Sequence, residues 1–229
     1  MNIKPIILSI IIIIINFTVI ADAQECGPSC PVCSGSGDNL GALLASKSLL
    51  ANGLYIPDGE EETGVLNLRY GLFKWADIGI GYTIKAEKPI WSIRLQPVLE
   101  CENGWRPGLI LGTGSVQTGE SDQSVFIQLT KAHEFSEWLA FRTSMGISTL
   151  APDFDEIYGL AGITITVKER LSPFATYDGH NSHLGLSWIP TDWLVISSLL
   201  LEMRDPAISI GFRWNLATSS AADEKYYNK

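Results

Sequence analysis

The chain has 229 residues, 46% hydrophobic and 18% charged, with a formal net charge of -9. That acid excess argues against a nucleic-acid binder, whose phosphate partners demand Lys and Arg, and fits poorly with docking on anionic lipid. Beyond the extreme N-terminus no apolar run is long enough for a spanning helix, but bulk averages of this kind also fit a barrel whose apolar outer face and polar inner face cancel.

The first predicted element is a targeting segment, residues 1–23. Lys4 gives a basic start, and Ile6 to Ile20 forms an apolar core of about 15 residues, long for a signal core and short for a membrane helix. Ala21-Asp22-Ala23 matches the small-x-small cleavage pattern, which places the cut before Gln24. Residues 24–50 are of another character. They open on Cys26-Gly-Pro-Ser-Cys30-Pro-Val-Cys33-Ser-Gly-Ser-Gly37, where Gly, Pro and Ser argue against regular structure. Leu40 to Leu50 reads as a short helix or a lead-in to the first strand.

From 51 to 216 the chain alternates. The pattern is plainest in Ala207–Leu216, where Ile208, Ile210, Phe212, Trp214 and Leu216 are interleaved with Ser209, Gly211, Arg213 and Asn215. Successive strand residues face opposite ways, so such a segment has one apolar and one polar face. The rhythm predicts strands over 51–57, 64–72, 77–85, 89–100, 105–115, 123–132, 138–148, 157–167, 172–178, 181–189, 193–202 and 207–216. Two of these, 172–178 and 193–202, alternate poorly, and Leu194 to Leu201 is apolar on both faces. The connections alternate between short turns and longer or more polar loops, as in an outer-membrane barrel with periplasmic turns and external loops. Trp75, Trp105, Trp138 and Trp193 recur near the short turns, where an interfacial girdle belongs.

The fold class predicted is therefore all-β: an antiparallel up-and-down transmembrane β-barrel of about 12 strands. An even strand count leaves both termini in the periplasm, with residues 217–229 as a polar tail. A soluble secreted sandwich or lipocalin-like barrel also alternates. The monotonous hairpins, and an inner face of Gly, Ser, Thr and Arg, count against it.

Asn67-Leu-Arg-Tyr-Gly-Leu-Phe-Lys-Trp-Ala-Asp-Ile-Gly-Ile-Gly-Tyr82 resembles the hairpins of many bacterial outer-membrane barrels. Tyr177-Asp-Gly-His-Asn-Ser-His-Leu-Gly-Leu-Ser-Trp-Ile-Pro190, with the closing Pro206–Trp214, is similar to the C-terminal half of YjbH-like barrels. That resemblance implies a Gram-negative outer-membrane location and an association with exopolysaccharide biosynthesis and export. One departure is that such barrels end on a terminal aromatic, whereas here the polar tail follows Leu216.

Three sets of residues could carry chemistry. Cys26, Cys30, Cys33 and Cys101 all fall on the periplasmic side of the predicted topology, which favours disulfides in any of three pairings. Cys30-Pro-Val-Cys33-Ser-Gly-Ser-Gly37 resembles one repeat of the DnaJ zinc domain, which uses four, so a metal or redox role stands only as a rival; no metal and no cofactor is expected. His180-Asn181-Ser182 is a His-x-Ser whose side chains would share one strand face as base and nucleophile, with Glu202 or Asn181 orienting the imidazole. Outer-membrane lipid hydrolases use such a pair, but Tyr177–Asn181 has turn chemistry, which places His180 at a loop tip. Arg69, Arg94, Arg142, Arg213, Glu100 and Glu202 fall on the polar face. There they form either a structural network or an electrostatic lining for an anionic solute or polysaccharide. The sequence thus points to a non-enzymatic, porin-like or polysaccharide-export-associated barrel, with outer-membrane lipid as its surroundings and no nucleic-acid partner. The alternatives are a His-x-Ser lipid esterase and a soluble β binding module.

Overall fold

The computed structural model describes residues 43–57, 63–100, 105–114, 123–136, 138–151 and 154–216. The predicted signal segment, all four cysteines and the tail from 217 lie outside these residues. The alternating segments form β1 (Ser48–Tyr55), β2 (Gly64–Phe73), β3 (Ala76–Thr83), β4 (Lys88–Val98), β5 (Gly108–Gly114) and β6 (Gln123–Ser136). They continue as β7 (Leu139–Ala151), β8 (Tyr158–Val167), β9 (Leu171–Tyr177), β10 (Ser182–Thr191), β11 (Leu194–Leu201) and β12 (Asp205–Asn215). Each strand pairs antiparallel with its neighbours in sequence, and β1 pairs with β12, so the sheet closes into the twelve-stranded up-and-down barrel expected. Closure leaves no strand at a free edge. Ser48 lies opposite Asn215, so the first and last strands reach the same end of the barrel, the end that carries the short turns.

The barrel is inside-out relative to a water-soluble protein. Leu68, Ile80, Trp91, Ile147, Ile163, Leu186, Ile210 and Phe212 are exposed on its outer face, while Ser124, Gln128, Thr164, Ser187, Ser197 and Ser209 are buried within. A contiguous apolar belt of this kind has no place on a protein surrounded by water, and a lipocalin-like barrel or sandwich would bury those aliphatics. The structure overturns the soluble alternative on this ground. Aromatics gather towards the short-turn end, where Phe73 stacks on Trp75 and Trp193 on Phe212.

Three points in the strands depart from the sequence reading, each for a local reason. First, β1 starts at Ser48 rather than 51, because Ser48 and Leu50 already alternate with Leu49 in the inward register. Second, β6 runs on to Ser136, through residues 133–136 of the segment predicted as a turn over 133–137. His133 and Phe135 keep the outward alternation and both stack on Phe141 across the hairpin. Third, β11 is apolar on both faces because its inner face meets a small core. Leu199 and Leu201 pack with Leu54, Ile56 and Ala207 inside the long-loop end of the barrel.

Candidate functional site in the barrel lumen

The lumen is organised around an aspartate. Asp77 on β3 lies directly opposite Arg94 on β4 and Gly71 on β2, while Arg69 is one inward position along from Gly71. These positions share the inner face, so the side chains converge. Asp77 Oδ2 accepts from Arg69 Nη2 at 2.5 Å, and Oδ1 lies 3.3 Å from Arg94 Nε. Asp77 is 0% exposed and Arg69 4%. Gly79, opposite Arg69, is glycine for a reason: a Cβ there would press on the Arg69 stem at 2.9 Å and on the Ser92 hydroxyl. The trio carries two cations and one anion, a net +1, and the Nε of Arg69 has no hydrogen-bond partner among the described residues. Beside it a cavity of about 260 Å³ opens in the lumen, lined among others by Asn52, Asn67, Arg69, Ser92 and Arg94.

A second ionic group lies nearer the short-turn end. There β6 runs past the start of β5, whose Gly108 pairs with Thr130, and leaves the Ala132 amide without a partner on β5. The Glu100 carboxylate fills the gap by accepting the Ala132 N–H. It also meets Arg142 Nη1 at 3.4 Å and Lys131 Nζ at 3.7 Å, and Arg142 donates to Thr130 Oγ1 at 3.1 Å. Glu100 thus covers a stretch of ladder that would otherwise expose unpaired backbone. Arg213 belongs to neither group: its guanidinium donates to the Asp192 carbonyl at 3.2 and 3.4 Å, at the short-turn rim.

The chain ahead of β1 enters the lumen. Lys47 is held at the rim, its N–H on the Gly71 carbonyl at 2.7 Å and its carbonyl accepting the Leu216 N–H at 2.8 Å. From there residues 45 to 43 run inside the barrel. The Leu44 N–H donates to Asp77 Oδ2 at 2.9 Å, and Leu43 packs against the inward cluster of Ile110, Phe126 and Leu160. The lead-in predicted over Leu40–Leu50 is therefore irregular at 43–47 and strand from Ser48, and residues 43–45 lie within the lumen rather than beside it.

At the long-loop end, residues 178–181 form the β9–β10 connection, so His180 and Ser182 are not successive same-face positions of one strand. Ser182, the first residue of β10, is exposed, whereas the His180 ring tilts onto Tyr158 at 4.5 Å. The His-x-Ser pairing, with Glu202 or Asn181 as orienter, is corrected accordingly: the turn chemistry of Asp178-Gly179 prevails over strand spacing. His183 is the histidine that is built in. Its Nδ1 accepts the Glu202 backbone N–H at 3.0 Å, which leaves the proton on Nε2, directed at Asp178 Oδ2 at 2.9 Å. Asp178 Oδ1 accepts the N–H groups of His180 and Asn181 at 2.9 and 2.8 Å. Both imidazole nitrogens are engaged in holding the mouth together.

Burial alone would push the Asp178 carboxyl up, but the hydrogen bonds from His183, Asn181 and His180 outweigh it and hold the carboxyl below the usual aspartate value of 3.8. A group depressed in this way contributes stability that is complete above the usual value and is lost as pH falls through its own lower pKa. The β9–β10 tip is therefore expected to stay closed at pH 4 and to open only below it. A carbon-detected NMR titration of Asp178, together with exchange of the His180 and Asn181 amides, checks this; a carboxyl titrating above 3.8 contradicts it.

The fold is that of a membrane-type β-barrel: closed, twelve-stranded, apolar outside and polar within. No family model and no curated protein matches the chain. Among solved structures it is similar to the KdgM porin, at 10% identity, covering 73% of this chain and 98% of that one with a TM-score of 0.51. It is also similar to the KdgM porin in complex with disordered oligogalacturonate, at 9% identity, the same coverages and a TM-score of 0.51. An outer membrane channel from Pseudomonas putida F1 matches at 11% identity over 78% of this chain and 98% of that one, with a TM-score of 0.44. The likeness is one of fold, and these comparisons do not support the resemblance to YjbH-like barrels.

The sequence reading passes over Asp77 and the stretch 43–45. Asp77 could have been found as the acid sharing an inward register with Arg69 and Arg94 across two tight hairpins. Nothing in the apolar Leu43-Leu44-Ala45 marks it as a segment that turns inward.

Proposed function

We propose that the protein is a non-enzymatic, porin-like barrel of the outer membrane whose lumen takes an anionic solute, a carboxylated oligosaccharide in particular. The observation that carries this reading is the Asp77 trio: a chain of net charge -9 places two arginines on one buried carboxylate in its lumen, leaving an excess positive charge beside a cavity. Positive charge in a low-dielectric pore selects for anions. The flanking Asn52, Asn67 and Ser92 supply the amide and hydroxyl groups that sugar hydroxyls need. The neighbour solved with oligogalacturonate supports a polymer of carboxylated sugars as the ligand class. The outer-membrane location draws support from the apolar belt, and export from the signal segment at 1–23. The termini are then periplasmic, the cysteines share that oxidising compartment, and outer-membrane lipid covers the outer wall. The non-enzymatic reading draws support from the place of His180 in the β9–β10 connection, its ring against Tyr158 rather than in strand register with Ser182.

Arg94→Glu tests the reading by turning the trio from +1 to -1. In planar bilayers under a salt gradient, wild-type protein is expected to give an anion-selective reversal potential, and the variant one shifted towards cations. Added oligogalacturonate should reduce wild-type current and leave the variant little affected. Cation selectivity in the wild type would sink the proposal.

A further inference from the structure

Three features that arise from different strands converge on the same short piece of chain. The Asp77 carboxylate, already shared by two arginines, also takes the Leu44 N–H. On β2, Gly71 provides the groove: a Cβ at this position would overlap the Ala45 carbonyl and approach the Leu44 carbonyl. Deeper in, Ile110, Phe126 and Leu160, contributed by β5, β6 and β8, form the apolar contact for Leu43. An anchor for an amide, a groove for a backbone and a pocket for a leucine together make a fitted seat. The ladder is irregular between Gly71 and Phe73, but the backbone at 71 is not left-handed, so it is the close approach of the Ala45 carbonyl that calls for glycine there.

We infer that residues 43–45 are a resident plug, and that seating them on Gly71 and Asp77 holds the barrel in a low-conductance state. The inference rests on the pore reading above and concerns what closes that pore rather than what it selects. The segment is suited to the task because it is attached at one point. Lys47 is hydrogen-bonded on both sides into the β12–β1–β2 ladder and acts as a fixed hinge. Inward of it, the Ala45 carbonyl closes a turn at the rim by accepting the Ser48 N–H at 3.1 Å, and the Leu44 N–H reaches Asp77 inside the lumen. Unseating the plug breaks the charge-assisted Leu44–Asp77 hydrogen bond, loosens the Ala45–Ser48 turn and exposes one leucine, while the pairing of β1 with β2 and β12 stays in place.

The test uses Gly71→Val in the full-length protein folded into detergent and into planar bilayers. Valine favours strand geometry, so the barrel should form, and its side chain occupies the space of the Ala45 carbonyl. Gly211→Val is the control: it also faces the lumen, but a Cβ there meets its neighbours at an ordinary 3.5 Å or more. Deletion of residues 24–45 removes the plug outright and covers the case in which Gly71→Val folds poorly. Exchange at the Leu44 amide is expected to accelerate by about tenfold or more in Gly71→Val, the scale of one lost charge-assisted bond. Single-channel conductance is expected to rise several-fold in both Gly71→Val and the deletion, and to remain at the wild-type level in Gly211→Val. A Leu44 amide that exchanges freely in the wild type overturns the inference, as does a deletion variant that conducts no better than wild type. Opening with cation selectivity would uphold the plug while refuting the anionic solute.

Discussion

Replacing Asp77 by alanine is expected to destabilise the folded barrel by about 3–5 kcal/mol, the scale on which removing one partner strands buried charges. Among the described residues Asp77 is the only carboxylate paired with Arg69 and Arg94, and its side chain is fully out of solvent. Without it the trio changes from +1 to +2, with two like charges near one another in a site that water reaches poorly. The Leu44 amide loses its acceptor in the same step. Asp77→Asn should cost less, because an amide oxygen can still accept from Leu44 and Arg69. The informative protein is the double variant Asp77→Asn with Arg94→Gln, which restores the net +1 through Arg69 alone. If charge balance is the cause, this double variant should be more stable than the sum of the single ones. Urea unfolding in lipid vesicles, followed by tryptophan fluorescence and heat-modifiable migration, measures the wild type and each variant. Equal midpoints for wild type and Asp77→Ala would show that solvent already screens the group.

How far the sequence discloses this depends on what kind of physics sets each feature. The twelve strands are legible because the two-residue period is a property of every strand by itself: Leu66, Leu68 and Tyr70 alternate whatever the rest of the chain does. Where another element supplies the reason, the pattern weakens. The inner leucines of β11 read as noise until Ile56 and Ala207 are placed against them. The His133–Ser136 extension reads as a turn until Phe141 stacks on its aromatic side chains. The candidate site divides in the same way. Arg69, Arg94, Arg142 and Glu100 can be assigned to the inner face by counting. That Glu100 caps a bare stretch of β6, or that Asp77 joins two arginines to a backbone amide, depends on register between strands, which no single segment encodes. His180 and Ser182 illustrate the opposite error, a local spacing rule applied where the chain is turning.

The outer face makes the second large prediction. Ile80, 64% exposed near the middle of β3, is flanked across the ladder by the outward Leu68 and Trp91. In water, an exposed isoleucine can become arginine at a cost within about 0.5 kcal/mol. At the midplane of a bilayer the same change on a barrel wall costs about 2–4 kcal/mol, falling to about 0–1 near the interface. Ile80→Arg is therefore expected to lower the unfolding free energy in vesicles by several times more than Phe73→Arg, which alters an equally outward residue beside the short turn. The contrast between depths is the diagnostic quantity, since both variants add the same charge to the same face. A graded penalty, large at position 80 and small at 73, is what acyl chains impose on a wall they cover. A flat, small penalty at both positions would mean that no hydrocarbon meets the belt, and the lumen would then have to be understood as the interior of some other kind of barrel.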